Sequence, residues 1–239
     1  ETSQVQSLTG AQVGVLSTAQ LAAIDDTDMV ALTSTQLQSL KTAQVQSLSA
    51  NKLSALTSDQ VGSLTGTQIG VLSASQANAL IDGTAELSKL SAAQIKEFST
   101  AAISGLTTAT VASLDTAQLQ ALTTRQVQSL TTAQVKALTT TQVGQLTSTQ
   151  IQALSAAQAA VLTTDTAELA KLTADQIKSF TTAAVAGLRT DQVNSLNSDQ
   201  VGALTSVQVK ALNTAQLSTL TTVQASSLNS AQVAALSTQ

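Results

Sequence analysis

The chain has 239 residues, a net charge of −4 and 10 % charged residues, and it contains no His, Cys, Trp, Tyr or Pro. Without His or Cys it lacks the usual general base, thiol nucleophile, soft metal ligand and disulfide. Ten basic residues and two Phe supply neither a stripe to neutralise phosphates nor a platform to stack bases, and polar residues interrupt every apolar run before the ~18 residues of a membrane span. No catalytic, cofactor-binding or metal site is therefore expected, no enzyme activity, no nucleic-acid partner and no membrane span.

An eight-residue period, [Ser/Thr]-x-x-Gln-[Val/Ile/Leu]-x-x-Leu, runs from the Glu1–Leu8 octet to the end. With Ser/Thr as N-cap, Gln falls at N3 and completes a capping box. The preceding Leu at N′ and the Val at N4 form a hydrophobic staple. One continuous helix is excluded, because eight residues at 100° each carry the apolar pair ~80° past two full turns and no seam survives. A plain strand is disfavoured too, since Leu and the following Val are five apart and fall on opposite faces. The pattern predicts an all-α solenoid of short capped α or 3₁₀ helices, one per octet. A single Leu and Val cannot offset the ordering of eight residues, so octets must stack cooperatively.

Along the chain, the first departure is Asp25-Asp26-Thr27-Asp28. It lacks the spacing of a calcium loop and reads as Asp25 at the N-cap with Asp28 at N3. Lys41 and Arg189 stand at cap positions without a capping side chain, so those starts should be weaker. Asp115, Asn197, Asn213 and Asn229 remain good caps.

A longer period lies over the octet. Glu1-Thr2-Ser3-Gln4 aligns with Gly83-Thr84-Ala85-Glu86 and with Asp165-Thr166-Ala167-Glu168, steps of 82 residues, with Ile81-Asp82 and Thr163-Thr164 as the extra pairs. Phe98 recurs as Phe180, Ala102 as Ala184 (both replacing Gln) and Gly105 as Gly187. Three units follow within one continuous repeat domain: 1–82, 83–164 and a truncated 165–239. The charged octets around these junctions hold Glu86, Lys89, Lys96 and Glu97, and Glu168, Lys171, Asp175 and Lys178. They read either as an irregularity copied with the block, paired at i,i+3 as Glu86–Lys89 and Glu168–Lys171, or as a periodic contact site for a partner.

The cleanest stretch is Thr131-Thr132-Ala133-Gln134-Val135-Lys136-Ala137-Leu138 followed by Thr139-Thr140-Thr141-Gln142-Val143-Gly144-Gln145-Leu146. Here Val127, Leu130, Val135, Leu138, Val143 and Leu146 should point inward, and Gln128, Lys136 and Gly144 outward. The residue before Leu is usually small, which lets coils approach closely.

The octet resembles the Leu-Thr-Thr-x-Gln-Val-x-Ala-Leu arrays of very large, repetitive, exported adhesin-like proteins of Proteobacteria. The resemblance covers nearly the whole chain and implies an architecture. Leu-Thr-x-x-Gln-Val also resembles the helix start of TAL-effector repeats, but their 34-residue period and base-reading loop are missing. The expected role is an extracellular, cell-surface structural protein: the subunit of a filament or matrix, or the spacer of an adhesin. The alternative is a solenoid binding module for a peptide or glycan. The array runs from Glu1 to Gln239 without a polar capping repeat, and end-to-end self-association is expected on that account.

Overall fold

The computed structural model describes residues 2–81, 84–162 and 169–236. Among them are 28 short α-helices of four to seven residues and no strand. The chain is thus all-α, one short helix for each octet, and no described helix is long and apolar enough to cross a membrane. The junction residues Asp82, Gly83 and Thr163 to Glu168 lie outside the described residues, as do Glu1 and the segment 237–239.

Most of the described helices start as the capping box requires. At Thr139 the backbone is extended (φ −70°, ψ 157°). Its Oγ1 accepts from the Gln142 amide at 3.2 Å, and its own amide donates to Gln142 Oε1 at 2.8 Å. Asp25 caps Asp28 in the same way at 2.8 Å. The Thr27 hydroxyl and the Asp28 amide hold the Asp25 carboxyl below its ordinary value. The stability it contributes is therefore present above ~3.9, the unfolded pKa, and is lost as pH falls through the lower folded value. Lys41 makes no side-chain cap bond, and the Gln44 amide turns to the Lys41 carbonyl at 2.9 Å instead. Its amide still donates to Gln44 Oε1 at 2.7 Å, so half of the box survives without a cap hydroxyl.

Thr139→Ala should lower stability by about 1 kcal/mol, and Thr139→Asp by much less, because a carboxylate caps as well. Equal losses in chemical denaturation would reject the capping role.

Helix ends are made differently. Leu146 (φ −59°, ψ 134°) and Thr147 (φ −72°, ψ 155°) are both extended, and two such residues turn the chain into the next helix. No described residue has a positive φ. The left-handed caps that satisfy the last carbonyls of many helices are therefore missing among the described residues.

The chain forms two compact units, Glu1–Leu122 and Thr123–Gln239. In the first, Ala50–Ser54 packs on Ala74–Leu80, which packs on Thr100–Gly105. In the second, Thr132–Lys136 packs on Ala156–Leu162, Ala174–Ser179 on Ser198–Ala203, and Ser206–Ala211 on Ser230–Leu236. Each helix thus meets the third one along. Side-chain bonds between coils span 25 to 32 residues, so a coil holds between three and four octets in both units.

Val127, Leu130, Val135, Leu138, Val143 and Leu146 are all buried, and Gln128 and Lys136 are exposed. Gly144 departs from expectation. It is half-buried, and a Cβ on it would lie 3.8 Å from the Lys171 carbonyl, so it packs against the next coil. Close approach is tighter at Gly14, where a Cβ would stand 2.7 Å from the Ser39 carbonyl oxygen, inside contact distance.

Candidate functional site

The capping box uses only one end of each glutamine amide. Gln68 is 2 % exposed. Its Oε1 accepts from its own N-cap amide, Thr65, at 2.9 Å. Its Nε2 donates to the carbonyls of Leu37 at 2.7 Å and Leu40 at 2.9 Å, 31 and 28 residues back. Leu37 lies in the last turn of Ser34–Gln38 and its carbonyl also accepts from the Leu40 amide at 3.1 Å, whereas the Leu40 carbonyl, just past the helix, takes the glutamine amide as its donor. One side chain therefore closes the start of its own helix and the end of another. Gln44, Gln76 and Gln118 do the same in the first unit, and Gln158, Gln200 and Gln224 in the second.

The ladder also absorbs the two-residue insertions. Gln94 and Gln176 each reach carbonyls 30 and 32 residues back, Gly62 and Leu64 for one and Gly144 and Leu146 for the other. The contact stays in register across each insertion, its spacing longer by two residues.

Departures from Gln are met by other groups. Lys52, 8 % exposed, donates to the Ile24 carbonyl 28 residues back and lies 3.6 Å from Asp26 Oδ1, which balances its charge. At Ala102 and Ala184 the N-cap hydroxyls of Ser99 and Thr181 still accept from the residue's amide, at 3.0 and 3.1 Å, but an alanine offers no amide to the preceding coil. At Thr110 the loss is repaired from the other side. Asn78, one coil earlier, accepts from the Thr107 amide at 3.1 Å and donates to the Gly105 carbonyl. The 82-residue shift turns Asn78 into Ala160 and Thr110 into Gln192, so the two residues are exchanged together.

That exchange makes a test. Asn78→Ala should cost about 1 kcal/mol through the two lost bonds, and Thr110→Gln alone should gain nothing, because its amide competes with Asn78 for the same site. The double variant should recover most of the loss, a coupling of about 1 kcal/mol in a double-mutant cycle. Additive effects would show that the two sites are independent.

The junction charges reach across coils. Lys89 Nζ lies 2.9 Å from Asp59 Oδ1, 30 residues back, and Glu86 Oε1 accepts from the Ser58 hydroxyl at 3.1 Å. The expected i,i+3 pairing of Glu86 with Lys89 gives way to these contacts, since both side chains lie over the previous coil. Glu168 falls outside the described residues. Asp175 and Lys178 are exposed and border an open groove of about 480 Å³ that also includes Thr205 and Asn229. On the surface, Arg189 grips Asp191 through two bonds of 3.0 and 2.9 Å, which lowers the Asp191 carboxyl below its ordinary value.

The intercoil role of glutamine was not anticipated from the sequence. A signal was present, because a capping box takes Glu as readily as Gln, yet nearly every N3 position with either holds Gln. Only the donor nitrogen distinguishes them.

No curated protein matches the chain in sequence. Three segments, residues 29–66, 111–148 and 169–206, match the family model described as the ALTTAQ repeat, and the chain is a repeat array similar to that family.

Proposed function

We propose that the chain is a non-catalytic, extracellular structural protein of the cell surface, serving as the subunit of a filament or matrix or as the spacer of an adhesin, and that its copies associate end to end. One observation carries this reading. The recurring side chains of each octet are engaged inside the array: Gln with two helix termini, Val and Leu with the core, the Ser/Thr hydroxyl with its own helix. What faces outward is mainly small and hydroxylated, as at Thr132, Ala133, Thr140 and Thr141. A surface of that kind suits length and stacking better than recognition, which draws on aromatic and Arg anchors.

The test is to label intact and lysed producing cells with an antibody to the chain, with and without external protease. Surface labelling that protease removes supports the reading. Labelling only after lysis would overturn it. Saturable binding of a glycan or peptide, lost on Asp175→Ala, would favour a binding module built on the groove beside Lys178.

A further inference from the structure

We infer that the contact between Leu154 and the helix Thr182–Ala186 is a release seam. The coil carrying that helix parts from the one before it more readily than neighbouring coils do, and the equivalent contact in the first unit is held shut by Asn78. Such a seam is a property of the ladder and holds whatever surface the protein serves.

The seam is a gap between glutamine donors. Gln176 Nε2 donates to the Leu146 carbonyl, 30 residues back, and Gln94 Nε2 to that of Leu64 by the same step. One octet on, this step sets Ala184 opposite Leu154 and Ala102 opposite Leu72. Neither alanine side chain can donate, and among the described residues no other donor meets either leucine carbonyl. Leu72 and Leu154 are 2 and 4 % exposed, so water has little access to those carbonyls while the contact is closed. A buried acceptor without a partner gains one from water when the contact opens, which lowers the free energy of opening.

What holds the closed contact is apolar. Ala184, Val185 and Leu188 are buried, but no described hydrogen bond joins residues 181–188 to the preceding coil. On the other side Gln216 Nε2 donates to the carbonyls of Ala186 and Leu188, which ties the helix to the coil that follows it. The packing at Gly187 is open in the same direction. A Cβ there would meet the carbonyls of Ala183 and Ala184, at 3.4 and 3.6 Å, and no described atom of another coil.

The first unit has the same alanine together with a latch. Asn78 donates to the Gly105 carbonyl and accepts from the Thr107 amide at 3.1 Å, at the end of the helix Thr100–Gly105. The coils are drawn together there, since a Cβ on Gly105 would collide with that of Ala74. In the second unit the position of Asn78 is taken by Ala160, and the seam at Ala184 is left without a latch.

Native-state hydrogen exchange, read residue by residue on the 239-residue chain, tests this. The amides of Val185 and Leu188 should exchange about tenfold faster, relative to their intrinsic rates, than those of Val209 and Leu212 three octets on, where Gln208 completes the ladder. Their opening should respond little to denaturant, because it exposes little surface. Ala184→Gln should slow them to the rate of Val209 and Leu212. Asn78→Ala should speed exchange at Ile103 and Leu106 about tenfold and leave Val185 and Leu188 unchanged. Asn78 lies outside the helix start that precedes Ile103, so this variant separates the seam from capping, and it decides the matter if Ala184→Gln does not fold. Equal protection at Val185 and Val209, unchanged exchange at Ile103 in Asn78→Ala, or fast exchange persisting in a folded Ala184→Gln chain would each overturn the inference. Failure of surface labelling would leave these rates unaffected.

Discussion

Gln68→Glu should destabilise the folded chain by about 3–5 kcal/mol at pH 7, the range for an uncompensated buried charge. The two side chains have nearly the same shape, and a Glu at N3 is normally a good capping-box residue. The difference lies at the far end. Gln68 Nε2 donates to Leu37 and Leu40 at 2.7 and 2.9 Å inside a buried contact. A carboxylate there brings a negative oxygen against two carbonyl oxygens with no proton between them, and leaves the Leu40 carbonyl without its donor. The exposed counterpart Gln12→Glu should cost little, because water solvates the new charge.

The loss should depend on pH. Burial against carbonyls raises the folded pKa of the introduced carboxyl above its unfolded value of about 4.3. The folded state then binds more protons than the unfolded state between those two values. The variant is most stable below the unfolded pKa, where a protonated carboxyl can donate to one carbonyl, and weakens as pH rises through the folded pKa. Denaturation at pH 4 and pH 7 measures this. A loss below about 0.5 kcal/mol, or one independent of pH, would show that the intercoil amide bonds contribute little net stability. Glu86 is the natural comparison: it is half-buried and faces the Ser58 hydroxyl, a donor, at 3.1 Å.

Leu138→Ala should cost about 2–5 kcal/mol, from lost transfer energy and the cavity left behind. Leu138 is buried at the end of its octet, and its amide closes on the Val135 carbonyl at 3.2 Å. In a stacked array each coil contacts only its neighbours, so the damage should stay local. Hydrogen exchange should speed up in the coils adjoining residue 138 and change little several coils away. Protection lost evenly along the chain would mean that the array opens as one unit, and an unchanged pattern would mean that Leu138 is not core.

Much of this molecule is determined by interactions within one octet. The cap hydroxyl, the N3 glutamine and the staple lie within six residues of one another, so the helix starts at Thr131 and Thr139 follow from the sequence directly. So do the burial of Val135 and Leu138 and the exclusion of a long helix, which the mismatch between eight residues and the helical turn requires. The number of octets per coil does not follow, because every octet is locally alike and any stacking repeat satisfies the same caps. The three-dimensional path brings Leu37 and Leu40 to Gln68, and with them the second role of the amide. Gly144 was misread as outward-facing because only the approach of Lys171 from the next coil covers it. Lys89 was assigned to Glu86, three positions away along one helix, but its ammonium pairs with Asp59 in the preceding coil. The pairing of Asn78 with Thr107 likewise exists only between coils. Local capping chose the helices, and how they stack was decided between coils, where the Gln68 amide adds to the local bond at the Leu37 carbonyl and supplies a donor to that of Leu40.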